Sequence, residues 1–480
     1  MLITPTRESS AKMHIGKAKT KTINDTRLPA TIVKGAWITS AYLLLASTSA
    51  FAQSLPTELG AETNALETEL STTNINQLSE LDRSQQNLST GAVNESRDLI
   101  NADDGSAPGI RIGTLTLRPT LQNEIIYERQ KSATSTATRT FNQTNLGATL
   151  ESDWSRHSLN VTGNATLQKN IRGTIEENPS VDVTSDLEFN INDLLTANLI
   201  GSYNFSKESR NDPNAITNAT SQANIHTLSS SLGLTKELGI LRGSVTGSLT
   251  RVVNGDATLP GNIIVSGNDR DRLNLGLALR LQYAGNPVLM PFIEGEIGTT
   301  RYDQDIDSSG TNREFTSYGL RTGIVADLGD KLSGEASIGY VANKFKDTSL
   351  PDIKAVTFDS ELNWSPRRGT TAALGLTTSV EPSTSAGQSG SILYASTLDL
   401  SQEITNQLDA TLGLNYSVRD FRGSTSTPNE SIYGASLAFD WAINRYLSMN
   451  SDLSFTRTDR FGSADDVDDT SIGIGLTLTR

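Results

Sequence analysis

The sequence predicts an all-β fold: a transmembrane antiparallel up-and-down β-barrel of about eighteen strands over residues 110–480. In such a barrel, alternate residues face lipid and lumen, and the connections are short on one side of the membrane and long on the other. The alternation is clearest in residues 272–283. One parity of this segment carries Leu273, Leu275, Leu277, Leu279, Leu281 and Tyr283. The other carries Arg272, Asn274, Gly276, Ala278, Arg280 and Gln282. One face of the predicted strand is therefore apolar and the other polar.

The second observation is that short and long connections alternate along the chain. We expect eight short turns, near Ser155, Asp193, Gly239, Gly285, Gly329, Pro366, Thr405 and Asn444. Polar stretches predicted as long loops lie between them, at residues 131–140, 208–223, 254–268, 303–312, 381–390 and 460–469. The alternative count is sixteen strands, if one weak hairpin is misread. An even count puts both ends of the barrel segment on the short-turn side, which is periplasmic in bacterial outer-membrane barrels.

The third observation concerns tryptophan. Trp154, Trp364 and Trp441 each lie on the apolar parity immediately before a predicted short turn. Because indole prefers the membrane interface, they predict an aromatic girdle at the periplasmic rim. A second girdle is expected near the long loops, from Tyr127, Tyr203, Phe205, Tyr302, Tyr340, Tyr394, Tyr416, Tyr433 and Phe455. A soluble β-solenoid is the alternative, but its repeats are shorter, about 20 to 30 residues, and give no reason to segregate tryptophan.

Residues 1–52 are predicted to be a cleaved secretory signal peptide. Several lysines and arginines precede an apolar stretch at residues 36–46, and Ala50-Phe51-Ala52 is a small-x-small site that predicts cleavage between Ala52 and Gln53. The apolar stretch is shorter than the roughly 20 residues of a membrane helix, so we expect export rather than anchoring. Met1 and Met13 are both open as the start of translation.

Residues 53–109 differ in composition from the rest of the chain. They hold ten acidic residues against Arg83 and Arg97, and no aromatic residue. This composition predicts a disordered or partly helical periplasmic extension. The leucines at 66, 70, 78, 81 and 88 are spaced as on a short amphipathic helix, which leaves a docking helix or a lumen plug as the alternative.

Composition argues against several functions. The 480 residues include no cysteine and three histidines, and the net charge is −14. Strong acidity argues against nucleic acid as a partner, because phosphate binding requires Lys and Arg. The predicted topology puts His157 and His226 on opposite sides of the membrane, and no nucleophile elbow or phosphate loop is present. We therefore expect no enzymatic activity, no catalytic residues, no cofactor and no metal site.

The polar parity predicts charged side chains that point into the lumen. They are Arg280, Arg321, Glu294, Glu296, Asp359, Glu361, Asp409 and Arg419. The interior of a barrel of about 16 to 18 strands is too wide for side chains to fill. Two interpretations remain open: these charges hydrate and brace the wall, or they form a selective constriction.

The chain resembles the putative β-barrel porin family 2 of outer-membrane proteins, found largely in alphaproteobacteria. The resemblance rests on a signal sequence, an acidic prelude, the segment Arg111-Ile112-Gly113-Thr114-Leu115-Thr116-Leu117-Arg118-Pro119, and the strand pairs with long loops that follow. It implies an outer-membrane location, and some members resemble components encoded beside exopolysaccharide machinery. The chain departs from the usual pattern at Arg480, where outer-membrane barrels end on an aromatic residue.

The expected function is a porin-like passive channel for small hydrophilic solutes in the outer membrane of a Gram-negative bacterium. Two alternatives stay open: a conduit for exopolysaccharide export, and a structural or adhesive protein that displays its long loops. The expected partners are outer-membrane lipid, lipopolysaccharide and the insertion machinery, with polysaccharide export machinery as the partner under the second hypothesis. The oligomeric state is open.

Overall fold

The computed structural model describes residues 107–210, 215–216, 219–307, 309–383, 387–422, 429–460 and 466–480. The predicted signal peptide, its Ala52–Gln53 cleavage site and residues 53–106 of the acidic segment lie outside the described residues. Across the described ranges, no helix is both long enough and apolar enough to span a membrane.

The described residues form a closed antiparallel barrel of eighteen strands. In chain order they are β2 (Leu115–Ser132), β3 (Thr136–Ser152), β4 (His157–Gly173), β5 (Ser180–Asn192), β6 (Leu195–Lys207), β7 (Asn224–Leu238), β8 (Leu241–Asn254), β11 (Arg272–Tyr283), β12 (Leu289–Tyr302), β13 (Phe315–Asp327), β14 (Leu332–Phe345), β15 (Ile353–Arg367), β16 (Thr370–Pro382), β17 (Gly390–Thr405), β18 (Leu408–Arg422), β19 (Glu430–Asn444), β20 (Leu447–Arg460) and β21 (Val467–Thr479). The short β1 (Ile110–Ile112) pairs with β2, and β9 (Ala257–Leu259) and β10 (Ile263–Val265) form a hairpin inside one loop.

The barrel closes between its first and last long strands. β2 pairs with β21 from Thr120–Thr479 to Ser132–Val467, so the sheet has no free edge between its first and last long strands. Closure satisfies the backbone polar groups that lipid cannot hydrogen-bond. The prediction of eighteen strands is confirmed over the alternative of sixteen. β21 is paired on both sides, with β2 and with β20.

The connections follow the predicted pattern with one exception. The eight short turns lie within two residues of their predicted positions; the turn expected near Pro366, for example, follows the end of β15 at Arg367. The prediction of a long loop at residues 131–140 is wrong. β2 and β3 continue as a ladder as far as the pair Lys131–Thr136, and a tight turn at residues 133–135 joins them. The polar composition of 136–140 comes from strands that extend past the apolar belt, where both faces are polar.

Side-chain exposure follows the predicted alternation. On β11, Leu277 and Leu279 are 44% and 55% exposed, whereas Arg280 is 7% exposed. The same pattern holds on β21, where Ile472 and Leu476 lie on the outer surface. The apolar side chains therefore form the outer surface of the barrel, as a lipid-facing wall requires, and the polar side chains form its interior.

The ladder between β15 and β16 is incomplete. Its pairs run from Arg367–Thr370 to Ser360–Leu376 and stop there, although β15 begins at Ile353 and β16 continues to Pro382. Each strand remains fully paired to its other neighbour over these residues. The barrel wall therefore has an unpaired seam in its long-loop half.

Candidate functional site: the barrel interior

The barrel interior carries a four-residue ion-pair network on β11 to β14. Arg280 Nη2 lies 2.5 Å from Glu335 Oε2, and Arg321 Nη2 lies 2.7 Å from Glu294 Oε1. Arg280 Nη1 is 3.7 Å from Glu294 Oε2, which links the two pairs. The guanidinium of Arg280 also stacks on the ring of Phe292, 3.6 Å from its centroid, a favourable cation–π contact. We name this set the Arg280 network.

Further carboxylates lie beside the Arg280 network. Glu296 is on the same inward parity of β12 as Glu294, and Asp359 and Glu361 are on the inward parity of β15. Asp359 Oδ1 accepts a hydrogen bond from the backbone N–H of Thr378 at 3.1 Å. Two arginines thus face five carboxylates in this region of the wall, and the local balance of charge is negative.

A second network lies nearer the long loops, on β16 to β20. Arg419 Nε is 2.7 Å from Glu381 Oε2, and Arg419 also pairs with Glu430. Glu430 Oε2 is 3.4 Å from Arg460 Nε, and Ser391 Oγ donates to Glu381 Oε2 at 2.9 Å. Each side chain is polar and points inward; Glu381, Ser391, Arg419 and Glu430 are almost fully buried, and Arg460 is partly buried. We name this set the Arg419 network; its charges balance.

The short-turn half of the lumen carries acidic residues that have no basic partner. Asp409 on β18 is the ladder partner of Glu403 on β17 and of Asp440 on β19, so three carboxylates follow one another across three strands. Among the described residues, no lysine or arginine forms an ion pair with Asp409 or Asp440. Both side chains are partly exposed, unlike the Arg419 network above them. This acidic strip is an electronegative, water-accessible part of the interior.

The long loops are tied to one another at the other end of the barrel. Glu176, between β4 and β5, accepts hydrogen bonds from Lys207 Nζ at 2.5 Å, Ser221 Oγ at 2.8 Å and Arg210 Nη2 at 3.0 Å. Burial acts to raise the pKa of Glu176, but these hydrogen bonds and the charge of Lys207 outweigh it and lower the pKa below its ordinary value. The contact joins two neighbouring loops.

A second contact joins three further loops. Asp307, after β12, accepts the backbone N–H of Gly387 from the β16–β17 loop at 2.9 Å and also faces Arg313. Arg313 in turn donates to the carbonyl oxygens of Ser383 at 2.9 Å and Asp269 at 2.7 Å. Burial acts to raise the pKa of Asp307, and hydrogen bonds from Ser309, Gly387 and Thr311 outweigh it, so the pKa is lowered.

The predicted girdle tryptophans are on the outer surface. Trp154, Trp364 and Trp441 are 40%, 53% and 50% exposed, and each lies at or beside the last residues before a short turn. Tyr302, expected in the second girdle, is different. It is 6% exposed, points inward and has the Arg313 guanidinium 4.7 Å from its ring centroid. Tyr302 has the same parity on β12 as Glu294, which the sequence predicts to point into the lumen.

Several interior residues escaped the sequence prediction. Glu335, Glu381, Glu430 and Arg460 all lie on the inward parity of their strands and hold the ion pairs described above. Their parity alone would have identified them as inward residues. Their partners could not be read from parity, because ion pairing depends on strand register. Glu430 pairs with residues of the two consecutive neighbouring strands, whereas Arg280–Glu335 and Arg419–Glu381 join strands that are not consecutive in sequence.

Comparison with known proteins gives one match of high coverage. A family model described as Putative beta-barrel porin 2 matches residues 103–480. A sequence comparison with curated proteins finds no match.

Solved outer-membrane proteins resemble the chain only distantly. Acinetobacter baumannii OccAB4 has a TM-score of 0.38 at 9% identity, covering 76% of this chain and 98% of that one. Pseudomonas aeruginosa OccK2 (OpdF) has a TM-score of 0.40 at 12% identity, covering 75% and 97%. The FrpB iron transporter of Neisseria meningitidis has a TM-score of 0.38 at 9% identity, covering 72% and 62%. These likenesses are too remote to carry an argument about function.

Proposed function

The chain belongs to the Putative beta-barrel porin 2 family, and from this we propose that it is a passive channel for small hydrophilic solutes. Solutes diffuse down their gradients through the hydrated lumen, filtered by its width and by the charge of its wall. This mechanism requires no covalent chemistry.

The main support for the proposal is the acidic strip formed by Glu403, Asp409 and Asp440. Asp409 and Asp440 are partly exposed although they lie inside a closed barrel, so water reaches the interior at their level. The outer surface at the same height is apolar, with Phe439 and Trp441 exposed on β19. A wall that is apolar outside and accessible to water inside is what passive passage of hydrophilic solutes requires.

The charge of the strip gives the channel a preference for cations. Rings of carboxylates favour cations in a pore, and a low-dielectric wall strengthens their field. Glu403, Asp409 and Asp440 have no basic partner among the described residues. The carboxylates beside the Arg280 network, Glu296, Asp359 and Glu361, add a surplus of acidic residues to the same half of the barrel. Neutral and cationic solutes should therefore pass more readily than anions.

The proposal includes an orientation. The short turns face the periplasm and the long loops face outward, as in bacterial outer-membrane barrels. The outward parity of Trp154, Trp364 and Trp441 fits a girdle at the periplasmic interface. Residues 1–52 act as the export signal, cleaved after Ala52, and the acidic segment that follows remains in the periplasm.

Liposome swelling tests the proposal. Residues 53–480 would be refolded into liposomes, which are then diluted into isotonic solutions of neutral sugars of increasing size. We expect swelling with pentoses and hexoses that slows as the sugar grows, and none in liposomes without protein. Folded protein that admits no sugar would overturn the proposal and favour export or surface display. A matched preparation of residues 105–480 reports separately on the acidic segment.

A further inference from the structure

Two side chains bridge the unpaired seam between β15 and β16. Asp359 Oδ1 accepts a hydrogen bond from Thr378 N at 3.1 Å, and the Thr378 hydroxyl bonds to the backbone of Phe358. Beyond the last ladder pair, Ser360–Leu376, Thr378 Oγ1 accepts a hydrogen bond from Phe358 N at 2.9 Å and donates one to Phe358 O at 3.1 Å. The Thr378 hydroxyl thus takes the place of a backbone hydrogen-bond partner for Phe358, and we call this contact the Thr378 bridge. Above this point the two strands continue without ladder pairs to each other.

An apolar cluster lies at the seam, and its members come from opposite faces of the sheet. Phe315 on β13, Phe345 on β14 and Ile353 on β15 have the inward parity of their strands. Val380 on β16 and Ile392 on β17 are ladder partners with the outward parity, in line with the exposed Leu374 and its partner Leu398. The cluster therefore packs the inner face of β13–β15 against the outer face of β16–β17.

This packing is possible only if the sheet overlaps itself. At the long-loop end of the β16–β17 hairpin, residues 377–383 and 387–393 lie on the lumen side of β13–β15; we call these described residues the tip. Two contacts agree with that position. Ser389 Oγ donates to the carbonyl of Pro351 at 2.9 Å, ahead of β15, and a Cβ on Gly390 would lie 3.3 Å from Cδ1 of Ile353. β15 thus contacts β17 directly, across the strand between them.

The lumen is filled at the level of the tip. Glu381 and Ser391 on the inner face of the tip are 2% and 1% exposed, and their partners Arg419 and Glu430 are 3% and 1% exposed. Toward the short turns the inward side chains of the same strands are more accessible, as at Thr397 on β17. Interior charges this well covered indicate that little water-filled space remains beside the tip.

We propose that the tip is the constriction of the channel, and that the apolar cluster and the Thr378 bridge hold it inside the lumen. The inference rests on the proposed channel function and adds to it the element that limits passage. The Arg419 network, itself buried, ties the inner face of the tip to β18 and β19. The ladder ends at Ser360–Leu376, which lets the tip leave the plane of the barrel wall. The lumen is therefore narrowed by a pair of strands rather than by a loop.

On the side that faces β15, the tip is held by side-chain contacts, because the backbone ladder stops at Ser360–Leu376; on its other side β17 stays paired with β18. Removing methyl groups from a packed cluster loosens it without changing any charge. Ile392→Ala takes a fully buried side chain out of the cluster, and Thr378→Val removes the hydroxyl of the bridge while keeping the shape of the side chain. Leu398→Ala is the matched control, because it shortens an outward residue of the same strand where the ladder is complete.

Single-channel recording of these variants in planar bilayers tests the inference, with folding checked by heat-modifiable mobility on gels. We expect Ile392→Ala and Thr378→Val to raise the conductance by about twofold, since a wider lumen leaves a larger aqueous path. Leu398→Ala should match the wild type.

The outcomes separate the two proposals. Equal conductance in the wild type, the control and both folded variants would overturn the constriction and leave the channel standing. If none of the folded proteins conducts, the channel fails and the constriction fails with it. If one variant does not fold, the other still decides, because the two act on different contacts.

Discussion

Asp409 on β18 and Asp440 on β19 are direct ladder partners whose carboxylates share the lumen face of the barrel. Like charges directly opposite each other in a sheet are destabilising. Glu403, the partner of Asp409 on its other side, extends the repulsion. Three adjacent carboxylates without a basic partner among the described residues cost stability and provide an electrostatic attraction for cations, which is why we connect this strip with permeation.

Neutralising the strip should reduce the preference for cations. At water-like dielectric a carboxylate within about 4 Å of a passing cation contributes about 1 kcal/mol, so Asp409→Asn with Asp440→Asn should lower the cation-to-anion permeability ratio by about two- to fivefold. The ratio is obtained from the reversal potential in a salt gradient across a planar bilayer. The effect should shrink at high salt, because exposed charges are screened.

Asp193→Asn provides the control for that experiment. Asp193 lies in the β5–β6 short turn, outside the lumen, and its substitution removes one negative charge, as each single substitution in the strip does. Its reversal potential should equal that of the wild type. An unchanged potential in the Asp409 and Asp440 variant would refute the assignment of selectivity to the strip.

The Arg280 network should contribute strongly to barrel stability. Arg280→Ala removes the cation that pairs with the buried carboxylate of Glu335 and that lies close to Glu294. Breaking a buried ion pair in this way lowers the free energy of unfolding by about 3 to 5 kcal/mol. Urea unfolding of the refolded protein, followed by tryptophan fluorescence, measures the change. Arg111→Ala is the matched control, because its partner Asp153 is exposed and such pairs contribute about 1 kcal/mol or less. Equal losses in both variants would contradict the role of burial.

The tryptophans should lie at the membrane–water interface rather than near the bilayer centre. Residues 53–480 contain only Trp154, Trp364 and Trp441, so the intrinsic fluorescence needs no mutation. We expect lipids brominated near the carbonyl region to quench more strongly than lipids brominated near the bilayer centre, since indole side chains collect at the interface. Stronger quenching from the centre would rule out the girdle.

The Glu176 contact should loosen in acid. Its folded-state pKa lies below the ordinary value of 4.5 because Lys207, Ser221 and Arg210 hydrogen-bond the carboxylate. The stabilisation is therefore complete above about pH 4.5 and is lost as the pH falls through the lower folded-state pKa. Hydrogen exchange of residues 174–179, corrected for the intrinsic pH dependence, should speed up over that range. Glu176→Gln should exchange quickly at neutral pH and show no such transition; a wild-type profile in this variant would exclude the role of the carboxylate.

Much of the fold could be predicted from local pattern. Alternation predicts that Leu277 faces out and Arg280 faces in, and the turn residues near Asp193 and Gly239 mark strand ends to within two residues. The pattern failed where both faces of a strand are polar: Thr136 and Thr138 looked like loop residues, although they extend the ladder of β3 with β2.

The interior was harder to predict, because ion pairs depend on register. No local signal places Glu335 beside Arg280, since the two strands are separated by two others. The tip was also hidden. Val380 lies between the polar Ser379 and Glu381 as a lipid-facing residue does. Only the tertiary structure shows that Val380 and Ile392 pack against Ile353. Tyr302 is a simpler case, because its inward parity could have been read from Glu294 on the same strand.

The central claim is that the barrel encloses an open aqueous path, and single-channel conductance tests it most directly. Residues 53–480 and residues 105–480 would each be refolded and inserted into planar bilayers under a fixed voltage. The account predicts steady, ohmic openings from both, with cations carrying more of the current. Silence from the longer protein alone would identify the acidic segment as a plug. Silence from both, with folded protein in the membrane, would contradict the channel.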